Sequence, residues 1–203
     1  MNRTLLAYVN GLEKEAEQIT PERKEKLRHI SDSIRSRLRN GQRAKILFIC
    51  THNSRRSHFC QIWSATLAHH LDLEGVEAYS GGTEVTAFNP RAVRALKRAG
   101  FTIEHPGGEN PRYEVYFDER KDPLVCYSKT YDDPANPSEH VIAVMSCSDA
   151  ERNCPVIDGT EFRAVIPYED PKQADGTPRE AEVYDERCRQ IATEMYYILS
   201  QLK

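Results

Sequence analysis

A short apolar run, followed at once by a polar loop and a helix, constrains this chain most strongly. Residues 46–49 read Ile-Leu-Phe-Ile and predict a buried strand that ends at Cys50. A helix is predicted over about 57–71, a strand over 76–80, and a second helix from Asn89-Pro90 to Gly100. Since consecutive strands joined by helices run parallel, this alternation predicts a parallel sheet.

The same pattern returns near the carboxyl end of the chain. Residues 141–145 and 162–166 predict two more core strands, with a loop between them. The last helix carries one apolar face, formed by Tyr184, Cys188, Ile191, Met195, Ile198 and Leu202. We therefore expect residues 44–203 to form a three-layer α/β domain around a four-stranded parallel sheet.

Residues 107–137 interrupt this rhythm. Two segments rich in aromatic and β-branched residues, 113–117 and 124–127, predict an inserted β-hairpin. Its tyrosines either line the mouth of a site or pack across the strands, the commoner role for such residues. They are Tyr113, Tyr116, Tyr127 and Tyr131.

Residues 1–43 predict a helical hairpin that precedes the domain. Apolar residues at helical spacing predict one helix over 5–19, and Thr20-Pro21 can cap and begin a second that ends at Asn40-Gly41. Residues 1–44 contain 10 Lys and Arg against 6 Asp and Glu, although the whole chain has a net charge of −3. We interpret the hairpin as a packing element or a homodimer contact, with a specific binding role as the alternative.

Composition excludes several classes of protein. In 203 residues, 39% hydrophobic and 29% charged side chains are ordinary for a globular domain, and the net charge does not favour nucleic-acid binding. No apolar run approaches the roughly 20 residues of a membrane span, and the start lacks a signal-peptide pattern. We expect a cytoplasmic protein without nucleic-acid or membrane partners. Six cysteines are too few for a disulfide scaffold, so any cysteine pair is expected to be catalytic or redox-active.

The loop from Cys50 to Ser57 lies where open parallel sheets bind ligands, at the carboxyl end of a strand. A loop that winds into a helix turns backbone N–H groups inward, which favours a tetrahedral oxyanion. Arg56 can grip two oxyanion oxygens with its planar guanidinium. The same positive field stabilises a thiolate, so we expect Cys50 to act as a nucleophile. The alternative is an inert buried thiol.

This arrangement resembles the low-molecular-weight protein tyrosine phosphatases and the thioredoxin-coupled arsenate reductases, two families with one fold. The resemblance rests on Cys-x5-Arg-Ser at Cys50 to Ser57, on Tyr-Ser-Gly-Gly-Thr-Glu at 79–84 and on Asn-Pro-Arg-Ala at 89–92. It covers most of residues 45–203 and implies a flavodoxin-like strand order.

The resemblance also implies roles for individual residues. Cys50 would attack the oxyanion, Arg56 would bind it, and Asn53 and Ser57 would hold the loop. The oxyanion-binding loop would comprise Thr51, His52, Asn53, Ser54, Arg55, Arg56 and Ser57, with Ser80 as loop support. The chain departs from both families at His52, where glycine is common, and at Arg55, where a second cysteine is usual.

A proton donor is needed for the departing oxygen, and a carboxylic acid in a nearby loop can supply it. Three Asp-Pro pairs compete for this role, at Asp122, Asp133 and Asp170. Asp170 is preferred because it follows a predicted core strand and because both families place their acid in an Asp-Pro at this point.

Residues 147–155 read Cys-Ser-Asp-Ala-Glu-Arg-Asn-Cys-Pro. A loop of this length can bring the sulfurs of Cys147 and Cys154 together if it rearranges, although two unconnected thiols would be the simpler interpretation. The motif resembles the second and third redox cysteines of the thioredoxin-coupled arsenate reductases, which tyrosine phosphatases lack. The resemblance therefore favours an arsenate reductase with Cys50, Cys147 and Cys154 as redox residues and a thioredoxin-like dithiol protein as partner.

Two alternatives remain at this stage: a low-molecular-weight tyrosine phosphatase acting on phosphomonoesters, and a non-catalytic oxyanion-sensing module. We expect no cofactor and no metal site, since Gln61 stands where some of the reductases have a glutamate in a potassium site. The remaining cysteines, Cys60, Cys126 and Cys188, are expected to fill the core.

Overall fold

The computed structural model describes residues 1–153 and 157–203. Its helices are α1 (Arg3–Asn10), α2 (Leu12–Glu17), α3 (Pro21–Arg39), α4 (Arg56–His70), α5 (Pro90–Ala99), α6 (Ser148–Asn153) and α7 (Glu180–Ser200), with a 3-10 helix at Pro171–Ala174. Its strands are β1 (Ala44–Cys50), β2 (Val76–Gly82), β3 (Thr102–Glu104), β4 (Tyr113–Tyr116), β5 (Leu124–Cys126), β6 (Val141–Met145) and β7 (Thr160–Val165).

The central sheet has the order β2-β1-β6-β7, and its pairs are all parallel. This confirms the predicted four-stranded sheet and its flavodoxin-like order. Alternate side chains of β1 point to opposite faces of the sheet. Ile46 and Phe48 belong to the buried cluster on the first face, and Leu47 and Ile49 belong to the buried cluster on the second face. Helices α4 and α7 belong to the first face and α6 to the second, so the sheet is the middle of three layers.

A separate antiparallel sheet has the order β3-β4-β5. Strands β4 and β5 confirm the predicted hairpin, but the sheet also contains β3, which precedes the predicted 107–137 segment. Ile103 is buried and pairs with Val115, while its neighbours in β3 are exposed. The third strand completes the sheet because an isolated two-stranded hairpin is only marginally stable.

The predicted single helix over residues 5–19 is wrong, because the chain kinks at Gly11 between α1 and α2. The Arg189 guanidinium of α7 donates to the carbonyl oxygen of Tyr8 at 2.8 Å. In a continuous helix, that oxygen would accept a hydrogen bond from the N–H of residue 12. A Cβ at position 11 would lie 2.6 Å from Arg189 Nη2, so a larger residue there would displace the end of the Arg189 side chain.

The N-terminal hairpin packs into the main core. The α3 side chains Leu27, Ile30 and Ile34 are fully buried, and α2 and α3 both contact α7. Because the apolar face of α3 is covered within the chain, that face is not available for a partner. A homodimer contact through the hairpin and a domain boundary after residue 43 stay predictions. No helix in the described part of the chain has the length and apolar character needed to cross a membrane.

Candidate active site

Cys50 is the last residue of β1, and α4 begins six residues later at Arg56. Cys50 is 2% exposed, and its sulfur lies 3.1 Å from Ser57 Oγ. Asn53 Nδ2 donates to the same Ser57 oxygen at 2.8 Å. Since Asn53 occupies an acceptor position of the Ser57 hydroxyl, the Ser57 proton is free to point at the Cys50 sulfur.

The carbonyl oxygens of the loop point away from its centre. Those of Cys50, Thr51, His52 and Ser54 all accept hydrogen bonds from groups outside the loop. The donors are the backbone N–H groups of Thr83, Glu84 and Asn89 and the hydroxyl of Ser128. A planar trans peptide carries its N–H opposite its carbonyl, so the N–H groups that follow these carbonyls face the inside of the loop. This is the donor set that an oxyanion requires.

Asn53 gives the loop its shape. Its backbone is left-handed, with φ 43°, a conformation that asparagine tolerates better than most residues. Its side chain is fully buried and bridges two elements: Nδ2 donates to Ser57, and Oδ1 accepts from the backbone N–H of Lys129 at 3.0 Å. The asparagine therefore braces the loop against a segment 76 residues further along the chain.

That segment is the end of the inserted hairpin. Ser128 Oγ donates to the carbonyl of His52 at 2.8 Å, and Thr130 forms a parallel bridge with Gly82 at the end of β2. The sequence pattern left open whether the tyrosines of the insertion line the mouth of the site or pack across the strands, and it did not predict this supporting role. Ser128 and Lys129 contact the loop through a hydroxyl and a main-chain group, so no residue pattern announces the contact.

Arg56 and Asp170 meet across the site. Arg56 Nη2 donates to Asp170 Oδ2 at 2.8 Å, and Nη1 donates to the carbonyl of Tyr168 at 3.0 Å. Asp170 lies at the start of the 3-10 helix, where its other oxygen accepts from the N–H of Lys172 at 3.0 Å. The two competing aspartates lie elsewhere: Asp122 is exposed, and Asp133 accepts from the N–H of Ala135.

Arg55, which replaces the usual second cysteine, turns toward α7. Its Nε donates to the hydroxyl of Tyr184 at 3.1 Å, and its Nη1 lies 3.6 Å from Asp170 Oδ2. The Asp170 carboxylate therefore faces two guanidinium groups, and the Tyr184 contact fixes the second of them.

Cys147 lies two residues after the end of β6 and is fully buried. Its sulfur lies 3.5 Å from Thr51 Oγ1, so the structure brings it beside the residue that follows Cys50. The N–H of Ala150 donates to the same sulfur at 3.3 Å. The expected loop after Cys147 is instead the short helix α6, whose acidic first turn complements the helix dipole. Cys154 lies outside the described residues.

Ser80 is hydrogen-bonded to α4, the helix that follows the loop. Its hydroxyl donates to Gln61 Oε1 at 2.6 Å and lies 3.3 Å from His58 Nδ1. Burial, followed by the nearby Lys129 ammonium, holds the pKa of His58 well below its usual range.

Within residues 1–153 and 157–203, no cluster of three or more His, Cys, Asp or Glu side chains is arranged to hold a metal ion.

The remaining cysteines are deeply buried, as expected of core residues: Cys60, Cys126 and Cys188. Burial raises the pKa of Cys126 and of Cys188 to about 12 and that of Cys60 well above its usual range. Tyr113, from the proposed aromatic rim, packs edge-on against Phe88 at 5.2 Å and is part of the core instead.

The chain is similar in sequence to two groups of known proteins. Residues 45–110 match the family model of the low molecular weight phosphotyrosine protein phosphatases. The arsenate reductase of Bacillus licheniformis is 28% identical over 144 residues, which cover 71% of this chain and 86% of the relative. The arsenate reductase of Shouchella clausii is 29% identical over the same shares of both chains.

Solved structures share the fold. An arsenate reductase in the phosphate-binding state aligns with a TM-score of 0.51 at 17% identity and covers 79% of this chain and 99% of its own. A low molecular weight protein tyrosine phosphatase from T. tengcongensis aligns with a TM-score of 0.50 at 17% identity, covering 78% and 99%.

The chain is thus similar to the superfamily that contains the low molecular weight phosphotyrosine phosphatases and the arsenate reductases, and it shares their fold. Within that superfamily, the chain is closer by sequence to the arsenate reductases.

Proposed function

We propose that this protein reduces arsenate to arsenite, using Cys50 as nucleophile and Cys147 and Cys154 as a redox pair. The observation that carries the proposal is the 3.5 Å contact between Thr51 Oγ1 and the Cys147 sulfur, which puts a second thiol beside the nucleophile's own loop. The similarity to arsenate reductases and the Cys147 to Cys154 motif point the same way.

In the first step, arsenate binds to the inward N–H groups of the loop and to Arg56, which exchanges its bond to Asp170 for bonds to oxyanion oxygens. The Cys50 thiolate attacks arsenic and forms a sulfur–arsenic bond. One arsenate hydroxyl leaves as water after taking a proton from the carboxyl group of Asp170, which acquires that proton from solvent once Arg56 has turned from Asp170 to the oxyanion.

The second step transfers two electrons to arsenic. The Cys147 thiolate attacks the Cys50 sulfur, a disulfide forms, the sulfur–arsenic bond breaks, and its electron pair leaves with arsenic as arsenite. The Cys154 thiolate then attacks the Cys147 sulfur and releases Cys50 as thiolate. One arsenate and two thiols thus give one arsenite, one disulfide and one water.

The Cys147 to Cys154 disulfide must be reduced before the next turnover. A thioredoxin-like dithiol protein completes the cycle by thiol–disulfide exchange, which requires a reducing compartment such as the cytoplasm. Cys147 is buried, so its sulfur must become exposed before an external reductant can reach the disulfide.

The test compares wild-type protein with Cys147→Ser in two assays, arsenate-dependent oxidation of reduced thioredoxin and aryl phosphate hydrolysis. Cys147→Ser is expected to abolish the first and leave the second unchanged, because only the redox steps use that thiol. Cys188→Ala, which alters a buried cysteine on α7, is the matched control and should retain both. Wild-type protein that hydrolyses aryl phosphate but never oxidises thioredoxin with arsenate contradicts the proposal.

That last result would instead support the second candidate, a phosphatase acting on phosphotyrosine or other phosphomonoesters. Cys50, Arg56 and Asp170 suffice for this reaction, because water can hydrolyse the phosphocysteine intermediate. A protein that binds phosphate through Arg56 but catalyses neither reaction would be an oxyanion sensor.

A further inference from the structure

The loop that carries Asp170 is fixed to the body of the protein at Tyr168. The N–H of Tyr168 donates to the carbonyl of Ser146 at 3.1 Å, and its carbonyl accepts from Arg56. Its phenol is buried and donates to Glu194 Oε2 on α7 at 2.7 Å. One residue therefore holds both the oxyanion clamp and, two positions later, the acid.

Glu194 depends on a cation from the N-terminal hairpin. Its carboxylate is 4% exposed, and a buried carboxylate is strongly unfavourable without a charged partner. Arg23, in the first turn of α3, supplies that partner: its Nη2 donates to Glu194 Oε2 at 2.7 Å, and its Nε lies 3.1 Å from both oxygens. The guanidinium also lies 5.1 Å from the centre of the Tyr168 ring.

The contacts form one continuous chain from Arg23 through Glu194 and Tyr168 to Arg56 and Asp170. Burial raises the pKa of Tyr168 well above its usual range, so its hydroxyl stays a donor to the carboxylate. Arg23 lies outside residues 45–110, the part of the chain that matches the family model.

We propose that Arg23 is a positioning residue of this enzyme: the N-terminal hairpin completes the active site by holding Glu194 and Tyr168, and through them Arg56 and Asp170. The inference rests on the proposed roles of Arg56 in oxyanion binding and of Asp170 in proton donation. It gives the hairpin a catalytic purpose in addition to packing.

Arg23→Met keeps an unbranched apolar stem and removes the guanidinium charge. Without the guanidinium, Glu194 no longer holds the Tyr168 hydroxyl in place, and the Tyr168 carbonyl shifts from Arg56. The matched control is Arg28→Met, one turn further along α3, where Arg28 donates to Tyr197 of α7 and not to the Tyr168 chain.

The first measurement is the dissociation constant for inorganic phosphate by calorimetry. We expect Arg23→Met to weaken binding by about 10-fold or more, since small misplacements of positioned groups have large effects. Arg28→Met should change it less than about 2-fold, the effect of a surface substitution.

The second measurement compares phenyl phosphate with 2,4-dinitrophenyl phosphate, whose leaving group needs no proton. Arg23→Met should lower kcat on the order of 10-fold for phenyl phosphate and much less for the activated ester, because only the former uses the acid. Adding Glu194→Gln to Arg23→Met should restore part of both losses, since the neutral amide needs no cation and can still accept from Tyr168.

The outcomes separate the two claims. Wild-type protein that binds no phosphate overturns the proposed function. The positioning role alone is overturned if the wild-type protein binds phosphate and Arg23→Met keeps both the wild-type phosphate affinity and the wild-type ratio of kcat values for the two esters. This holds whatever the stability of the variant. If Arg23→Met does not fold, Tyr168→Phe, which removes one hydroxyl from the same chain, must show the same two effects.

Discussion

Replacing Asn53 by alanine removes the brace of the oxyanion loop. The Ser57 hydroxyl loses its donor at 2.8 Å, a net loss of about 1 kcal/mol. The buried N–H of Lys129 loses its acceptor, which costs about 2 kcal/mol. Alanine at φ 43° adds about 1 kcal/mol of backbone strain that asparagine avoids. Together these effects predict a loss of about 4 kcal/mol in the free energy of unfolding.

Two further substitutions separate these contributions. Asn53→Gly removes both hydrogen bonds but tolerates the left-handed backbone, so it should be about 1 kcal/mol more stable than Asn53→Ala. Asn53→Asp keeps the acceptor for Lys129 and loses the donor to Ser57. It should retain more stability than Asn53→Ala, yet weaken phosphate binding because it places a carboxylate beside the anion site.

Guanidinium denaturation with a folded-state spectroscopic signal measures these differences. If Asn53→Ala and Asn53→Gly both lie within about 1 kcal/mol of wild type, near the median effect of any substitution, the brace has no energetic role. Equal stability of the two variants would show that the loop does not hold residue 53 in the left-handed region.

Three further predictions follow from burial and backbone geometry. Gly41 and Gly100 both have positive φ, but a Cβ at residue 100 would lie 2.5 Å from the backbone of α1, whereas a Cβ at residue 41 would meet nothing within 4 Å. Gly100→Ala should therefore lower the melting temperature clearly more than Gly41→Ala does. Equal shifts in melting temperature would contradict the tight docking of the hairpin. Because the folded state holds the pKa of His58 below its unfolded value, stability present at neutral pH is lost as pH falls below about 6.5, on the order of 1 kcal/mol per pH unit. His58→Gln should flatten that part of a plot of unfolding free energy against pH, and an unchanged slope would contradict the assignment. Cys126 and Cys188, with pKa values raised to about 12, should resist iodoacetamide in folded protein and react only after unfolding, as peptide mass mapping would show.

The sheet and its loop were predictable because their signals are local. Four apolar residues before Cys50 specify a strand buried on both faces, and the polar run up to Arg56 specifies the turn into a helix. Strand order came from the resemblance to a known fold and not from these patterns.

Contacts between distant segments were not predictable. The kink at Gly11 depends on Arg189, which belongs to the last helix, and periodicity within residues 5–19 contains no trace of it. Similarly, Ser128 and Lys129 contact the loop through groups that many residues would offer. The helix Ser148–Asn153 was not predictable because its polar residues also suit a loop.

The central claim is that arsenate oxidises thiols of this protein through Cys50. It is tested most directly by mapping disulfides by mass spectrometry after reduced protein has reacted once with arsenate in the absence of a reductant. The account predicts a new Cys147 to Cys154 disulfide, together with one arsenite per protein, and none of this in Cys50→Ser. All six cysteines remaining as free thiols in wild-type protein that binds arsenate would contradict it.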